Sequence, residues 1–319
     1  MGETVNTPDM EAAREEFREA QRTRGISNAD AAKQIGVGSS TLLAWLSGSY
    51  AGNNARVAEQ VRTWVRHQEE QTQHRAALPV LPDYIATPTA EAILAVARHA
   101  QVLPDIVLVT GGAGIGKTTA LREYQRTHPQ VWLHTAEPAA ASVHAMLEGI
   151  CDAMGVSENA ANRRSRSIVK KAQGSGGLLI VDEGQHLSSA ALDQLRTIHD
   201  LGRIGVVVAG NSEVFARIDG DSRRGLFAQF KSRVGMRINR NRPLNSDVNA
   251  LLDAAGVTGN AERRLLHAVA AKPGALRGIA KTLRRAHMLA AASGGAITEA
   301  AIAQSVASMD DGSAAGEAV

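Results

Sequence analysis

Eight consecutive residues, Gly111-Gly112-Ala113-Gly114-Ile115-Gly116-Lys117-Thr118, constrain this chain more than any other stretch. They satisfy the pattern G-x-x-x-x-G-K-[ST] at every fixed position. The preceding residues, Ile106 to Thr110, form a short apolar, β-branched run suited to a buried parallel strand. After the loop, Thr119 to Tyr124 resume with helix formers. Strand, glycine loop and helix together are what polyphosphate binding requires. Glycines let successive backbone N–H groups turn inward around the anion, and the helix presents its positive end to it. Gly111 through Gly116 and Thr119 are therefore candidate phosphate contacts. Lys117 would reach the β- and γ-phosphates, and Thr118 would offer its hydroxyl to Mg²⁺. A glycine turn that merely happened to precede a lysine would lack both flanking elements. The expected ligand is a nucleoside triphosphate, with Mg²⁺.

A second signal is Leu178-Leu179-Ile180-Val181-Asp182-Glu183, a buried strand ending in two carboxylates. In a parallel sheet such a strand delivers them beside the phosphate loop. Asp182 then holds Mg²⁺, directly or through water, and Glu183 orients and deprotonates the attacking water. A third strand, Val206-Val207-Val208-Ala209, runs into Gly210-Asn211. The Asn211 amide at that position can hydrogen-bond the γ-phosphate or the water, although Gly-Asn is also an ordinary turn. No His/Cys set has zinc-ligand spacing, so no metal beyond Mg²⁺ is expected.

Strands and helices alternate from residue 87 to about 243, the signature of an α/β parallel sheet of five strands. The strands are expected at Ile106–Thr110, Val131–His134, Leu178–Asp182, Ile204–Ala209 and Val234–Ile238. Thr87-Pro88-Thr89-Ala90-Glu91 opens a helix with a capping Thr, Pro at the first position and Glu in the first turn. Residues 244–308 read as four helices, a lid, and residues 309–319 as a small, polar, disordered tail. Residues 76–86, with Pro79 and Pro82, read as a linker. The chain is 44% hydrophobic but only 3% aromatic, so Ala, Val, Leu and Ile must build the core. One cysteine, Cys151, excludes an internal disulfide and fits a reducing compartment. No run approaches the ~18 apolar residues of a membrane span, and no membrane partner is expected. The expected location is the cytosol.

Residues 1–75 read as a helical domain with a helix-turn-helix. Ser27 to Ile35 form one helix, Gly36-Val37-Gly38 the turn, and Ser39 to Leu46 the recognition helix. Ile35, Val37, Leu42 and Leu46 are its expected shared core, with Val57, Val61, Trp64 and Val65 on a further packing helix. Ser39, Ser40 and Thr41 stand where side chains reach base edges or phosphates. A plain bundle for protein contacts would show the same pattern. Arg163, Arg164, Arg166, Lys170 and Lys171 form a basic cluster between the second and third strands. Arg237, Arg240 and Arg242 follow the last strand, and Arg284 and Arg285 sit on a lid helix. Lined along one face, such groups would give sequence-independent affinity by neutralising phosphates. Few aromatic platforms are available, which favours duplex over single-stranded DNA.

The nucleotide motifs in this order resemble an AAA+ ATPase. The resemblance implies an ATPase with an αβα core and a helical lid. It implies Asn211 as the first sensor and Arg277, in Lys272-Pro273-Gly274-Ala275-Leu276-Arg277, as the second. It also implies an arginine reaching the neighbouring subunit's γ-phosphate: Arg233 is the choice, with Arg223 and Arg224 as alternates. An N-terminal helix-turn-helix followed by one small AAA+ module is further similar to the phage Mu transposition protein B family. That similarity rests also on Asn53-Asn54-Ala55-Arg56-Val57, Trp64 and Arg122-Glu123-Tyr124, and extends from about Ile26 to Ser308. It implies an ATP-dependent protein that polymerises on double-stranded DNA of almost any sequence as a helical filament and hands that DNA to a transposase. The transposase would in turn stimulate hydrolysis. A helicase loader would share every nucleotide residue, and a transcription regulator with an ATPase switch would show a sequence-specific footprint.

Overall fold

In the computed structural model, residues 8–76, 81–212, 228–292 and 297–314 are described. They fall into two compact units, Met1–Pro79 and Val80–Val319.

The first unit is helical throughout its described residues: α1 (Pro8–Arg24), α2 (Asn28–Ile35), α3 (Ser39–Leu46) and α4 (Asn54–Ala76). Ser27 caps α2 by accepting a hydrogen bond from the Asp30 amide. Gly36 ends α2 in the left-handed conformation at φ 80°, where a side chain would be strained. Ile35 and Leu42 are buried as expected, while Val37 and Leu46 are only partly so. The largest buried side chains here are instead Trp45 and Phe17. Phe17 packs against Trp64 with ring centroids 5.6 Å apart. The expected set Val57, Val61, Trp64 and Val65 is buried on one face of α4.

The second unit is built on one parallel sheet: β1 (Ile106–Gly111), β2 (Val131–Thr135), β3 (Leu178–Asp182), β4 (Gly205–Gly210) and β5 (Val234–Arg240), in spatial order β2-β3-β4-β1-β5. Every residue of β1, β3 and β4 is buried, which is why each reads as a continuous apolar run rather than an alternation. Ile106 and Leu108 face one hydrophobic layer, Val107 and Val109 the other. The first layer is filled by α7 (Val143–Met154), α8 (Arg164–Ala172) and α9 (Ser189–Gly202). The second is filled by α5 (Pro88–Val102) and α6 (Lys117–Thr127). β5, preceded by the short α10 (Ala228–Lys231), is an edge strand and largely exposed.

The C-terminal helices α11 (Asn245–Ala254), α12 (Asn260–Ala271), α13 (Ala275–Ala292) and α14 (Glu299–Ala314) enclose a third apolar cluster in this unit. α14 continues to Ala314, past the Ser308 boundary expected for the lid. A buried carboxylate ties this helical part to the sheet. Asp247 of α11 accepts from the Thr89 amide (2.8 Å), the Thr89 hydroxyl (2.6 Å) and the Leu244 amide (2.7 Å). Asp247 thus serves the open N–H groups at the start of two helices, its own and α5. Leu81 to Ala86 belong to this second unit, so the expected linker ends before them.

Candidate nucleotide site

The phosphate loop joins β1 to α6, and its shape depends on missing side chains. At Gly114 φ is 81°, and a Cβ there would run into the carbonyl oxygen of Gly274 and press on Arg277. The loop is therefore closed over by the turn that leads into α13. Lys117 Nζ donates to the carbonyls of Gly111 and Gly112 at 2.8 and 2.9 Å, which folds the side chain back along the loop. Burial holds the Lys117 ammonium below the ordinary lysine range, against the pull of Asp182 and Glu183. A nearby polyphosphate would favour its charged form.

Gly111, Ala113, Gly114, Gly116, Lys117, Thr118 and Thr119 line one cavity of about 500 Å³, a size suited to a small-molecule ligand. Two expected loop residues, Gly112 and Ile115, are not among those lining residues. The Gly112 amide bonds the Arg240 carbonyl at 3.0 Å, and the Ile115 side chain is buried.

Three strand ends converge on this cavity because β1, β3 and β4 are adjacent and parallel. From β3, Asp182 Oδ2 accepts from Thr118 Oγ1 at 2.6 Å. These two hard oxygen donors fit Mg²⁺, which takes one or two protein oxygens and completes its shell with waters and phosphates. Glu183, one residue on, adopts the left-handed conformation at φ 55° and lines the cavity, as does Asn211 after β4. Gln185 lies between them. Its amide nitrogen donates to Glu183 Oε2, and its carbonyl oxygen accepts from the Asn211 amide at 3.2 Å.

The lid side of the cavity carries Arg277, as the resemblance implied, and Arg284 seven residues further along α13. A seven-residue step is about two helical turns, so both arginines face the same way. Arg284 was expected among DNA-binding cations, but it lines the nucleotide cavity. So does the stretch Leu81 to Ile85, which with its Pro82 reads as linker. There the Tyr84 hydroxyl donates to Glu91 at 3.3 Å, and burial, with the Glu91 charge, pushes its pKa up to about 12. The clean helix start at Thr87-Pro88 was the only hint in sequence that this segment belongs to the nucleotide unit.

Arg233 does not join this group. It precedes β5 at the opposite end of the sheet, about 17 Å away by strand rise over β1. Its guanidinium bonds Asp200 at 2.6 Å and the Gln229 carbonyl at 2.9 Å. Burial alone would raise the Asp200 pKa, but the Arg233 hydrogen bond and charge, with His199 and Arg196, hold it below the ordinary value. The alternates Arg223 and Arg224 lie outside the described residues.

Of the DNA candidates, Ser39 and Ser40 are exposed and Thr41 half-buried on α3. Arg163, Arg166, Lys170 and Lys171 are exposed along α8. Arg164 differs from them: it is largely buried and pairs with Glu148 at 2.9 Å.

A phosphate loop, a carboxylate pair and an amide-bearing strand end on a parallel sheet of this order define a P-loop ATPase of the AAA type, and the AAA domain model matches residues 102–218. The model described as "Mu B transposition protein, C terminal" matches residues 232–309. The ATP-dependent target DNA activator B of Escherichia phage Mu is 35% identical over 283 residues, which cover 88% of this chain and 89% of that protein. The Mu-like prophage FluMu DNA transposition protein B of Haemophilus influenzae is 32% identical over 263 residues, 81% of this chain and 90% of that one. The chain belongs to the Mu B transposition protein family. Among solved structures, a RuvB variant from Thermotoga maritima overlaps 69% of this chain and 68% of its own, with 17% identity and a TM-score of 0.45.

Proposed function

We propose that this protein is an ATP-dependent activator of target DNA in transposition. In its ATP-bound form it assembles on duplex DNA, and it presents that DNA to a transposase in the cytoplasm of a bacterial host. The observation that carries the reading is the convergence of Thr118, Glu183 and Asn211 on one cavity, with the buried Asp182 bonded to Thr118, in a chain whose relatives are named for ATP-dependent target DNA activation.

In hydrolysis, water attacks the γ-phosphorus in line, the bond to the β–γ bridging oxygen breaks, and ADP leaves with the bond's electron pair. Glu183 receives the proton of the attacking water. Asn211 orients that water or the γ-phosphate, and Lys117 balances the charge spread over the β- and γ-oxygens. Arg277 adds positive charge from the lid. Thr118 and Asp182 would hold Mg²⁺, which would supply further neutralisation of the phosphate charge. Arg233 is the candidate for an arginine acting on a neighbouring subunit, since its place at the far end of the sheet rules out its own site.

Sequence-independent DNA binding is supported by the composition of α3, Ser-Ser-Thr-Leu-Leu-Ala-Trp-Leu. It offers no Arg, Lys, Asn or Gln for the bidentate base contacts that read sequence in the major groove. The exposed cations of α8 suit phosphates instead. Binding to several unrelated duplexes at three salt concentrations, with ATP, ADP or no nucleotide, tests the reading. Affinity should rise with ATP, differ little among sequences, and fall steeply with salt, log affinity losing about 0.9 per phosphate neutralised for each decade of salt. Nucleotide-independent binding to one palindromic site would instead identify a regulator.

A further inference from the structure

We propose that Gln185 is a positioning residue that couples the end of β4 to the catalytic carboxylate of Glu183. The inference rests on the reading of Glu183 as the base that activates water.

The local backbone explains how Gln185 reaches both partners. Glu183 turns the chain through the left-handed region, at φ 55° and ψ 36°, directly after the buried Asp182. A single tight turn follows, closed by the His186 amide on the Glu183 carbonyl at 3.0 Å and the Leu187 amide on the Gly184 carbonyl at 3.1 Å. This reversal folds the Gln185 side chain back onto that of Glu183. One end of the Gln185 amide then donates to Glu183 Oε2. The other end accepts from the backbone amide of Asn211, the first residue past β4.

An amide group is planar and rigid, so its two ends move together. A shift of the β4 end, where Asn211 meets the γ-phosphate or water, would turn the amide and with it the Glu183 carboxylate. The base is thereby oriented by the same strand end that reads the nucleotide. Glu183 Oε1 is not the atom Gln185 holds, and it is the oxygen left to take the water's proton. All three residues line the same cavity, so this link lies where the reacting groups meet. A group that aims a base within about an ångström governs turnover far more than ground-state affinity.

The test uses the full-length protein with Gln185→Ala and Gln185→Glu. The second variant keeps the size and the acceptor for Asn211 but loses the donor to Glu183. With ATP, both should lower kcat by roughly 10–100-fold while KM and the nucleotide Kd stay within about twofold. Melting temperatures with and without nucleotide are recorded for each. The decisive arm adds Gln185→Ala to Glu183→Gln. If Gln185 acts through Glu183, the double variant keeps the residual rate of Glu183→Gln alone, because the two effects do not add. An unchanged kcat, a further loss on the Glu183→Gln background, or a matched rise in KM with lowered melting temperature would each overturn the proposal. Failure of both variants to fold would likewise assign Gln185 to structure. A Glu183→Gln protein hydrolysing at the wild-type rate would instead overturn the base assignment, so the two failures are distinct.

Discussion

Thr118, the second residue of α6, and Asp182, the last of β3, share a 2.6 Å hydrogen bond across 64 positions of the chain. The bond brings together the two oxygen donors proposed to hold Mg²⁺. Thr118→Ala and Asp182→Asn should each raise the Mg²⁺ concentration for half-maximal hydrolysis on the order of tenfold, equivalent to about 1.4 kcal/mol of binding. Chelation should stop turnover in the wild type. A magnesium titration of phosphate release checks both, and an unchanged midpoint in either variant would remove that residue from the metal site.

Glu183→Gln separates chemistry from binding. It keeps the size of the side chain and leaves the phosphate contacts intact, so ATP and DNA binding should persist. Turnover should drop by about 10²–10⁴-fold, the range for loss of a general base. Lys117→Ala removes the ammonium proposed to meet the phosphates and should lose ATP binding and ATP-dependent DNA binding together. Fluorescent-nucleotide titration alongside phosphate release distinguishes the two patterns.

Arg233 makes an interface prediction because it is tied to Asp200 far from its own phosphate loop. Arg233→Ala and Glu183→Gln should each be inactive alone and recover some hydrolysis when mixed. Mixed interfaces would pair an intact site with an intact arginine. Absence of rescue at every ratio, with mixed assembly verified, would transfer the role to Arg223 or Arg224. If Arg233→Ala mainly lowered the melting temperature, its bond to Asp200 would be the structural function.

Asp247 predicts stability rather than rate. It is fully buried and accepts three hydrogen bonds from Thr89 and Leu244. Asp247→Ala strands three donors and should cost about 3 kcal/mol or more of folding stability. Asp247→Asn should cost less, since its carbonyl oxygen still accepts while its NH₂ faces a donor. Urea unfolding followed by circular dichroism measures both. Equal stability of all three proteins would show that water replaces the lost contacts.

The strands and the phosphate loop were legible from residues close together in the chain. β1, β3 and β4 announce themselves as short apolar runs, Ile106 to Val109, Leu178 to Val181 and Val206 to Ala209, because a central parallel strand is covered on both faces. The loop is a contiguous backbone device, and its glycines are needed at fixed spacing wherever it occurs. Asp182 and Glu183 were readable for the same reason, since a parallel strand after the loop ends on the same side of the sheet. Family-level likeness added Arg277, which lines the cavity as implied.

What escaped the sequence depends on how elements pack. In α3 the apolar residues leave the inward face open between several choices, and packing made Trp45 the residue buried alongside Leu42 while Leu46 stays partly exposed. Arg284 reads as one more surface cation until the rotation of α13 turns it toward Arg277. Leu81 to Ile85 look like linker because their role is to wall a cavity rather than to form a helix or strand. Thr89 with Asp247, and Arg233 with Asp200, meet across 158 and 33 positions with no motif to announce them. Backbone conformation and burial periodicity are set by neighbours within a few residues, so the chain declares them locally. A pairwise contact exists only after whole helices and strands have settled their rotation and register, which depends on every surface they bury.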